Sequence, residues 1–226
     1  MKAYLVRGKP APGRAEGAIE PDESLPRACV IGAGSCGIAA AKALYEAGIP
    51  FDCFEMGSQV GGMWVYDNPN GLSGCYRTLE MNTSGPRMSY SDFPAPEYYR
   101  DYPMHWQVAE YFDRYVDHFG LRETIDFNTK VEHVERRDDG VWEVTIAGDA
   151  AGGGSETREY DAVLVGNGHH WDPRWPDPPF PGSDTFSGEQ MHAHDYRDAT
   201  PFAGKRVVVL GVGNSGVDIA CAISYV

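Results

Sequence analysis

The short apolar run Ala28–Ile31 leads directly into Gly32-Ala33-Gly34-Ser35-Cys36-Gly37, and an alanine-rich stretch follows as far as Ala47. No other feature limits the possible folds as strongly. An apolar run of that length ending in glycine reads as a buried parallel strand. The stretch from Cys36 to Ala47, stopped by Gly48, reads as a helix with a glycine at its C-terminal end. Phe51–Glu55 is the next strand, so the three segments form a β-α-β unit and predict an α/β, Rossmann-like fold. In such a unit Gly32 permits the tight turn, Gly34 lets a pyrophosphate approach the backbone, and Gly37 lets helix and strand pack closely. Ala33, Ser35 and Cys36 complete the loop. The N–H groups and positive dipole of the helix start then face the phosphates. Glu55, at the end of the second strand, is placed to accept from ribose hydroxyls. A carboxylate there repels a 2′-phosphate, so this site suits FAD or NAD and disfavours NADP.

Gly61-Gly62-Met63-Trp64 follows closely. The paired glycines Gly61 and Gly62 allow close backbone approach and Trp64 offers an aromatic wall; Gly62, Met63 and Trp64 are counted as cofactor-binding, and this tips the first site toward FAD. A second fingerprint, Gly211-Val212-Gly213-Asn214-Ser215-Gly216, follows the apolar run Arg206–Leu210. Gly211, Gly213 and Gly216 repeat the glycine spacing. Asn214 and Ser215 place polar side chains at a helix start, where they cap it or contact phosphate. Asp218 in the same helix is counted with them. Two such sites predict one bound flavin and one exchanging nicotinamide nucleotide.

Composition removes several other classes. The 226 residues carry 33 Asp plus Glu against 19 Lys plus Arg, a net charge of −14, which makes nucleic acid and anionic membrane surfaces poor partners. No apolar run approaches the roughly 20 residues of a membrane span, and no secretory h-region is present. The five cysteines (Cys29, Cys36, Cys53, Cys75 and Cys221) read as reduced thiols of a cytoplasmic protein, most of them core residues. None forms a Cys-x-x-Cys pair, which excludes a disulfide reductase.

Along the chain, residues 1–26 read as a mobile leader. Residues 56–103 are loop-rich and aromatic, as expected of a surface built around a ligand. Val108, Phe112, Tyr115 and Phe119 recur at helical spacing before Gly120. Lys130–Arg136 and Val141–Ile146 flank Asp138-Asp139-Gly140, a hairpin signal. Ala150–Ser155 is expected as a flexible bulge and Tyr160–Val165 as an apolar strand. Proline-rich residues 171–185 read as a linker, and Arg206–Leu210 as a buried strand. The expected organisation is an FAD-binding domain over 27–200 and the start of a second, nicotinamide-nucleotide-binding domain over 201–226, which stops after one strand and one helix; the residue that would choose NAD or NADP there is not among these positions.

Phe186, Gly188, His192 and Tyr196 fit Phe-x-Gly-x-x-x-His-x-x-x-Tyr, which resembles the identifying motif of the flavin-containing monooxygenases. Related Baeyer–Villiger monooxygenases typically carry Trp at the position of Tyr196. Phe54-Glu55 through Gly61-Gly62-Met63-Trp64 resembles the family's FAD segment. Tyr76 through Asn82-Thr83-Ser84, then Asp92-Phe93-Pro94, resembles its active-site loop, and Asp161 through Gly168-His169-His170 its inter-domain turn. The resemblance runs from about Ala28 to the end, and it implies that NADPH reduces FAD and that the reduced flavin captures O2 as a C4a-hydroperoxide. An amine nitrogen or sulfide sulfur then attacks the distal oxygen. Asn82 matches the family's active-site asparagine, and the resemblance makes it the catalytic candidate.

His192 and Tyr196 would share one face if their segment were helical and could act as an acid/base pair. The resemblance instead gives the motif a structural role between domains. His169, His170, His192 and His194 do not fit a metal-ligand spacing, and no metal is expected. Two alternatives to a monooxygenase stay open: a non-catalytic FAD-binding fragment, and an NADPH oxidase that oxygenates nothing. The substrate class is a small amine or sulfide, and self-association through exposed apolar residues is expected.

Overall fold

A computed structural model describes residues 19–226. The expected leader therefore lies outside the described residues up to residue 18. Residues 19–26 are exposed, and the Asp22 N–H donates to the Gly48 carbonyl at 2.8 Å. By Cα packing the chain divides into two units, Met1–Gly62 with Ala109–Asn167, and Met63–Val108 with Gly168–Val226.

The first unit is built on a four-stranded parallel sheet. Strand β1 (Ala28–Ile31) pairs with β2 (Phe51–Phe54) on one side, and helix α1 (Ser35–Glu46) connects the two. These elements match the sequence reading to within a residue at their ends. A short α2 (Gly85–Met88) and the long α3 (His105–His118) come next in the chain. Strand β3 (Ile125–Asp126) then adds to β2.

The expected hairpin is present as β4 (Thr129–Arg136) and β5 (Trp142–Gly148), and β6 (Gly154–Tyr160) extends it into a three-stranded antiparallel sheet. Strand β7 (Ala162–Val165) returns to pair with β1, giving the order β3-β2-β1-β7. Cys29, Val30 and Ile38 are fully buried. Full burial of an aliphatic side chain such as Val30 or Ile38 contributes roughly 1.5–3 kcal/mol. Cys29 and Phe54 also pack with Val144, Ile146 and Tyr160, which joins the parallel sheet to the antiparallel one.

Two expectations in this unit are corrected. Ala150–Ser155 is not a flexible bulge: a 3-10 turn at Asp149–Ala151, with Gly152 and Gly153 at positive φ, closes the β5–β6 connection. Tyr160–Val165 is not one strand. Tyr160 ends β6 and Ala162 starts β7, and between them Asp161 accepts from the Arg27 N–H at 2.7 Å.

The second unit is loop-rich. Its main helix is α4 (Asn214–Ile223), preceded by proline-rich residues 171–185 with no regular element. Its core gathers Tyr76, Tyr196 and Ile219, with Leu79, Phe202, Val209 and Ile223 against them. Arg206–Leu210, expected as a buried strand, is neither buried nor a strand. Val208 and Leu210 are 81% and 66% exposed. A parallel strand exists only through its ladder neighbours, and no described segment pairs with residues 206–210. No helix among the described residues is long and apolar enough to cross a membrane.

Candidate functional site

The first fingerprint forms where β1 meets α1. Gly32 has φ +92°, and its N–H donates to the Phe54 carbonyl at 2.8 Å. A Cβ on Gly37 would lie 1.7 Å from the Gly32 oxygen, and a Cβ on Gly32 would lie 2.7 Å from the Gly166 oxygen. Only glycines let the first turn of α1 pass this close to the strand ends. Gly34 is the N-cap residue of α1, no side chain caps the helix, and its first turn holds no acid. Ser35 and Cys36 are exposed on that turn. Gly62, at φ +54°, faces the same loop: a Cβ there would lie 3.4 Å from the Gly34 Cα. Bare backbone on both sides and an uncapped helix start form a cradle that fits a pyrophosphate.

Glu55 is 6% exposed. Its Oε2 accepts from the Ala33 N–H at 2.8 Å and its Oε1 from the Gly57 N–H at 2.6 Å. The carboxylate thus braces the fingerprint loop against the turn after β2. Each oxygen keeps lone-pair capacity beyond these bonds, so the brace does not use up its capacity to accept from a ribose hydroxyl.

In the second unit, Met63 and Trp64 belong to a 3-10 turn, Gly62–Trp64. The Met63 carbonyl accepts from the Ser73 hydroxyl at 2.8 Å. His105, at the start of α3, is buried, with the Tyr66 ring 5.6 Å away. Burial pushes its pKa down, and hydrogen bonding to the Trp64 and Arg77 backbone partly opposes this. Sequence reasoning passed over His105, because nothing in Pro103-Met104-His105 distinguishes a buried imidazole from an exposed one.

Asn82 is exposed, and the Thr83 hydroxyl reaches its Oδ1 only at 3.5 Å. The loop around it is held on both sides: Met81 N–H donates to Pro103 and Gly85 N–H to Asp101, each at 2.8 Å. The amide is therefore presented from a fixed backbone.

The second fingerprint repeats the first locally. Gly211 has φ +119°, and a Cβ on Gly216 would lie 2.6 Å from the Gly211 oxygen. Gly213 is the N-cap residue of α4, again without a side-chain cap, and a Cβ there would meet nothing within 4 Å. Asn214 and Ser215 are exposed. Neither caps the helix, and the start of α4 also fits a phosphate. Asp218 is engaged elsewhere: its Oδ2 accepts from the Tyr76 hydroxyl at 2.7 Å.

The segment from Phe186 to Tyr196 is not helical. A 3-10 turn, Ala193–Asp195, separates His192 from Tyr196, so the two side chains share no helical face. The His192 Nδ1 accepts from the His194 N–H at 3.0 Å, which fixes the turn. His194 packs on Gly74 and its Nε2 lies 3.2 Å from the Leu72 carbonyl oxygen. Tyr196 is 2% exposed, edge-on to Tyr76 at 5.7 Å. Among the described residues no group of three or more His, Cys, Asp or Glu is placed to hold a metal ion.

Residues 26–226 match the profile of the flavin-binding monooxygenase-like proteins. The chain belongs to this family. It is 39% identical to flavin-containing monooxygenase 5 of Rattus norvegicus over 205 residues, which is 88% of this chain and 38% of that enzyme. It thus spans well under half the length of the curated relatives it matches. The S-allyl-L-cysteine S-oxygenase of Allium sativum superposes with a TM-score of 0.81 at 32% identity, over 89% of this chain and 49% of that one. OTEMO in complex with FAD and NADP superposes with a TM-score of 0.68 at 27% identity, over 91% of this chain and 38% of that one. The family assignment agrees with the motif resemblance and with the α/β fold.

Proposed function

We propose that the chain carries the FAD site and the start of the NADPH site of a monooxygenase that oxidises an amine nitrogen or sulfide sulfur. The supporting observation is the pair of glycine turns, each ending in a helix start that no side chain caps, within a chain that matches the family along residues 26–226. FAD and NADPH, when bound, supply the hydride and oxygen chemistry. The protein binds and orients. In this reading residues 27–200 hold the flavin, with Gly32–Gly37 around the pyrophosphate, Glu55 toward the ribose, and Gly62, Met63 and Trp64 along the cofactor. Residues 201–226 open the nicotinamide site, with Gly211, Gly213, Asn214, Ser215 and Gly216 at its phosphates. Asn82 donates a hydrogen bond at the reacting centre without offering a labile proton, which suits an intermediate that must not be protonated away.

The thiols of Cys29 and Cys75, pushed up to about 12 by burial, are unreactive, and five free cysteines suit a cytoplasmic setting. The exposed apolar residues Val208, Leu210 and Val212 promote self-association, which light scattering on the purified chain measures. The test of function is a flavin absorption spectrum of the purified protein, followed by incorporation of labelled O2 into a tertiary amine or a thioether with NADPH as reductant. NADPH consumption without incorporation points to an oxidase, and absence of flavin overturns the reading. Asn82→Ala is expected to keep the flavin and lose oxygen incorporation.

A further inference from the structure

Asp218 lies on α4, one turn in from the helix start that the second fingerprint opens. Its carboxylate is held by the hydroxyl of Tyr76 at 2.7 Å. Tyr76 belongs to another part of the same unit, the loop that runs on to Asn82. Its ring is 3% exposed, edge-on to Tyr196, and shares a cluster with Ile219, the residue after Asp218. The loop backbone is tied down beside it, since the Arg77 N–H donates to the Arg197 carbonyl at 2.8 Å. A hydrogen bond from a buried phenol to a carboxylate is charge-assisted and directional. Apolar packing around it allows sliding, but this bond fixes one register of α4 against the loop.

We infer that Tyr76 and Asp218 are positioning residues that couple the nucleotide seat at the start of α4 to the loop carrying Asn82. The inference rests on the reading of that helix start as the nicotinamide-nucleotide site. It gives Asp218 a role other than contact with the cofactor: the residue acts through Tyr76. The phenol of Tyr76 is raised well above its ordinary value, first by burial and then by Asp218, as a paired hydroxyl requires.

The test uses the 226-residue chain with NADP+ as the probe. Calorimetric titration compares wild type, Tyr76→Phe, Asp218→Asn and the double variant, and hydrogen exchange follows amides 77–82 together with those of α4. Tyr76→Phe keeps the ring and removes only the hydroxyl. It is expected to weaken NADP+ binding about tenfold, the loss of one charge-assisted bond. Asp218→Asn retains a neutral acceptor and is expected to lose less. The double variant should bind no more weakly than Tyr76→Phe alone. Exchange should rise in both segments together, and in Asp218→Asn one tyrosine should ionise at lower pH in an ultraviolet pH titration. Equal NADP+ affinity in wild type and Tyr76→Phe, or faster exchange in only one segment, overturns the coupling. A wild-type chain that takes up no NADP+ overturns the nucleotide reading and the coupling with it, and that failure appears before any substitution is made. If Tyr76→Phe does not fold, Asp218→Asn decides by the same affinity and exchange readouts.

Discussion

Gly32–Gly37 and Gly211–Gly216 make the same turn on different ground. In both, the glycine at the sixth position passes so close to the first that a Cβ would lie 1.7 Å or 2.6 Å from its carbonyl oxygen. In both, a glycine N-cap leaves the helix start without a side chain. What precedes the turn differs. Val30 is fully buried, with Cys53 and Leu164 as its ladder partners on either side. Val209, two residues before Gly211 as Val30 is before Gly32, is only partly buried, Val208 beside it is 81% exposed, and neither has a ladder. Turn and helix are set by local residues, because glycine freedom and i→i−4 bonds need nothing distant. A central parallel strand is set by its neighbours, and an apolar sequence cannot supply them.

The largest expected effect tests that contrast directly. Val30→Asp buries an unpaired carboxylate inside the sheet and is expected to cost more than about 4 kcal/mol, enough to unfold the first unit. Val208→Asp, at an exposed position, is expected to stay within about 0.5 kcal/mol. Urea denaturation of the two variants measures both. Comparable losses would mean that residues 206–210 form a buried strand in solution, and the contrast would fail.

Next come the closing glycines. Gly37→Ala forces the first turn of α1 away from backbone fixed by two strands, at an expected cost of about 3 kcal/mol. Gly216→Ala meets the Gly211 oxygen less closely, and Gly211 is exposed with nothing within 4 Å of its own Cβ position. The turn can open, so about 1 kcal/mol or less is expected. Thermal melts of the pair give the order, and its reversal would show that the second turn is the more constrained.

What the sequence made legible follows the same division. The first β-α-β unit, α3 and the β4–β5 hairpin were readable because periodicity, glycine stops and Asp138-Asp139-Gly140 are local signals. Strand β6 was not. Its Ser155, Glu156, Thr157, Arg158 and Glu159 are polar and mostly exposed, and pairing with β5 makes it a strand, as in the Thr145–Thr157 hydroxyl contact at 3.0 Å. Strand β3 is two residues long, too short to show any period. For the site, the glycine positions were legible because each is a backbone requirement. The bracing bonds of Glu55 and the Tyr76–Asp218 pair were not, since both depend on which segments meet.

A third pair separates ligand seat from fold. Gly34 has room for a Cβ, with only the Gly62 Cα at 3.9 Å. Gly34→Val is therefore expected to fold, with a stability change of about 1–2 kcal/mol, while its branched side chain fills the pyrophosphate cradle and FAD no longer copurifies. Gly213→Val, with open space around it, should melt with the wild type and lose NADP+ binding only. Flavin content and melting temperature decide. Full flavin loading of Gly34→Val would place the pyrophosphate elsewhere.

The smallest effect concerns mild acid, to which the two units respond with opposite sign. In the second unit the buried His105 titrates below 6.5 because burial disfavours its charged form. The unfolded chain then binds the proton first, so the stability that the neutral imidazole contributes is present above pH 6.5 and is lost as pH falls below it. In the first unit, Asp126 is raised from 3.8, by desolvation first and then by the charge of Asp52. Its folded form holds the proton more tightly, so that contribution grows as pH falls toward 3.8 and is lost as pH rises through the folded pKa. Of these two groups, only the histidine is expected to matter between pH 7.5 and 5.5. Hydrogen exchange should quicken at pH 5.5 for amides between Trp64 and Arg77, after correction for the intrinsic rate, while those of β1 and β2 keep their protection. In His105→Gln, which retains a polar side chain at the helix start but cannot charge, the pH difference should vanish. Faster exchange in β1 as well would mean that the two units open together, and the independence of the first fingerprint from the ground beneath the second would be lost.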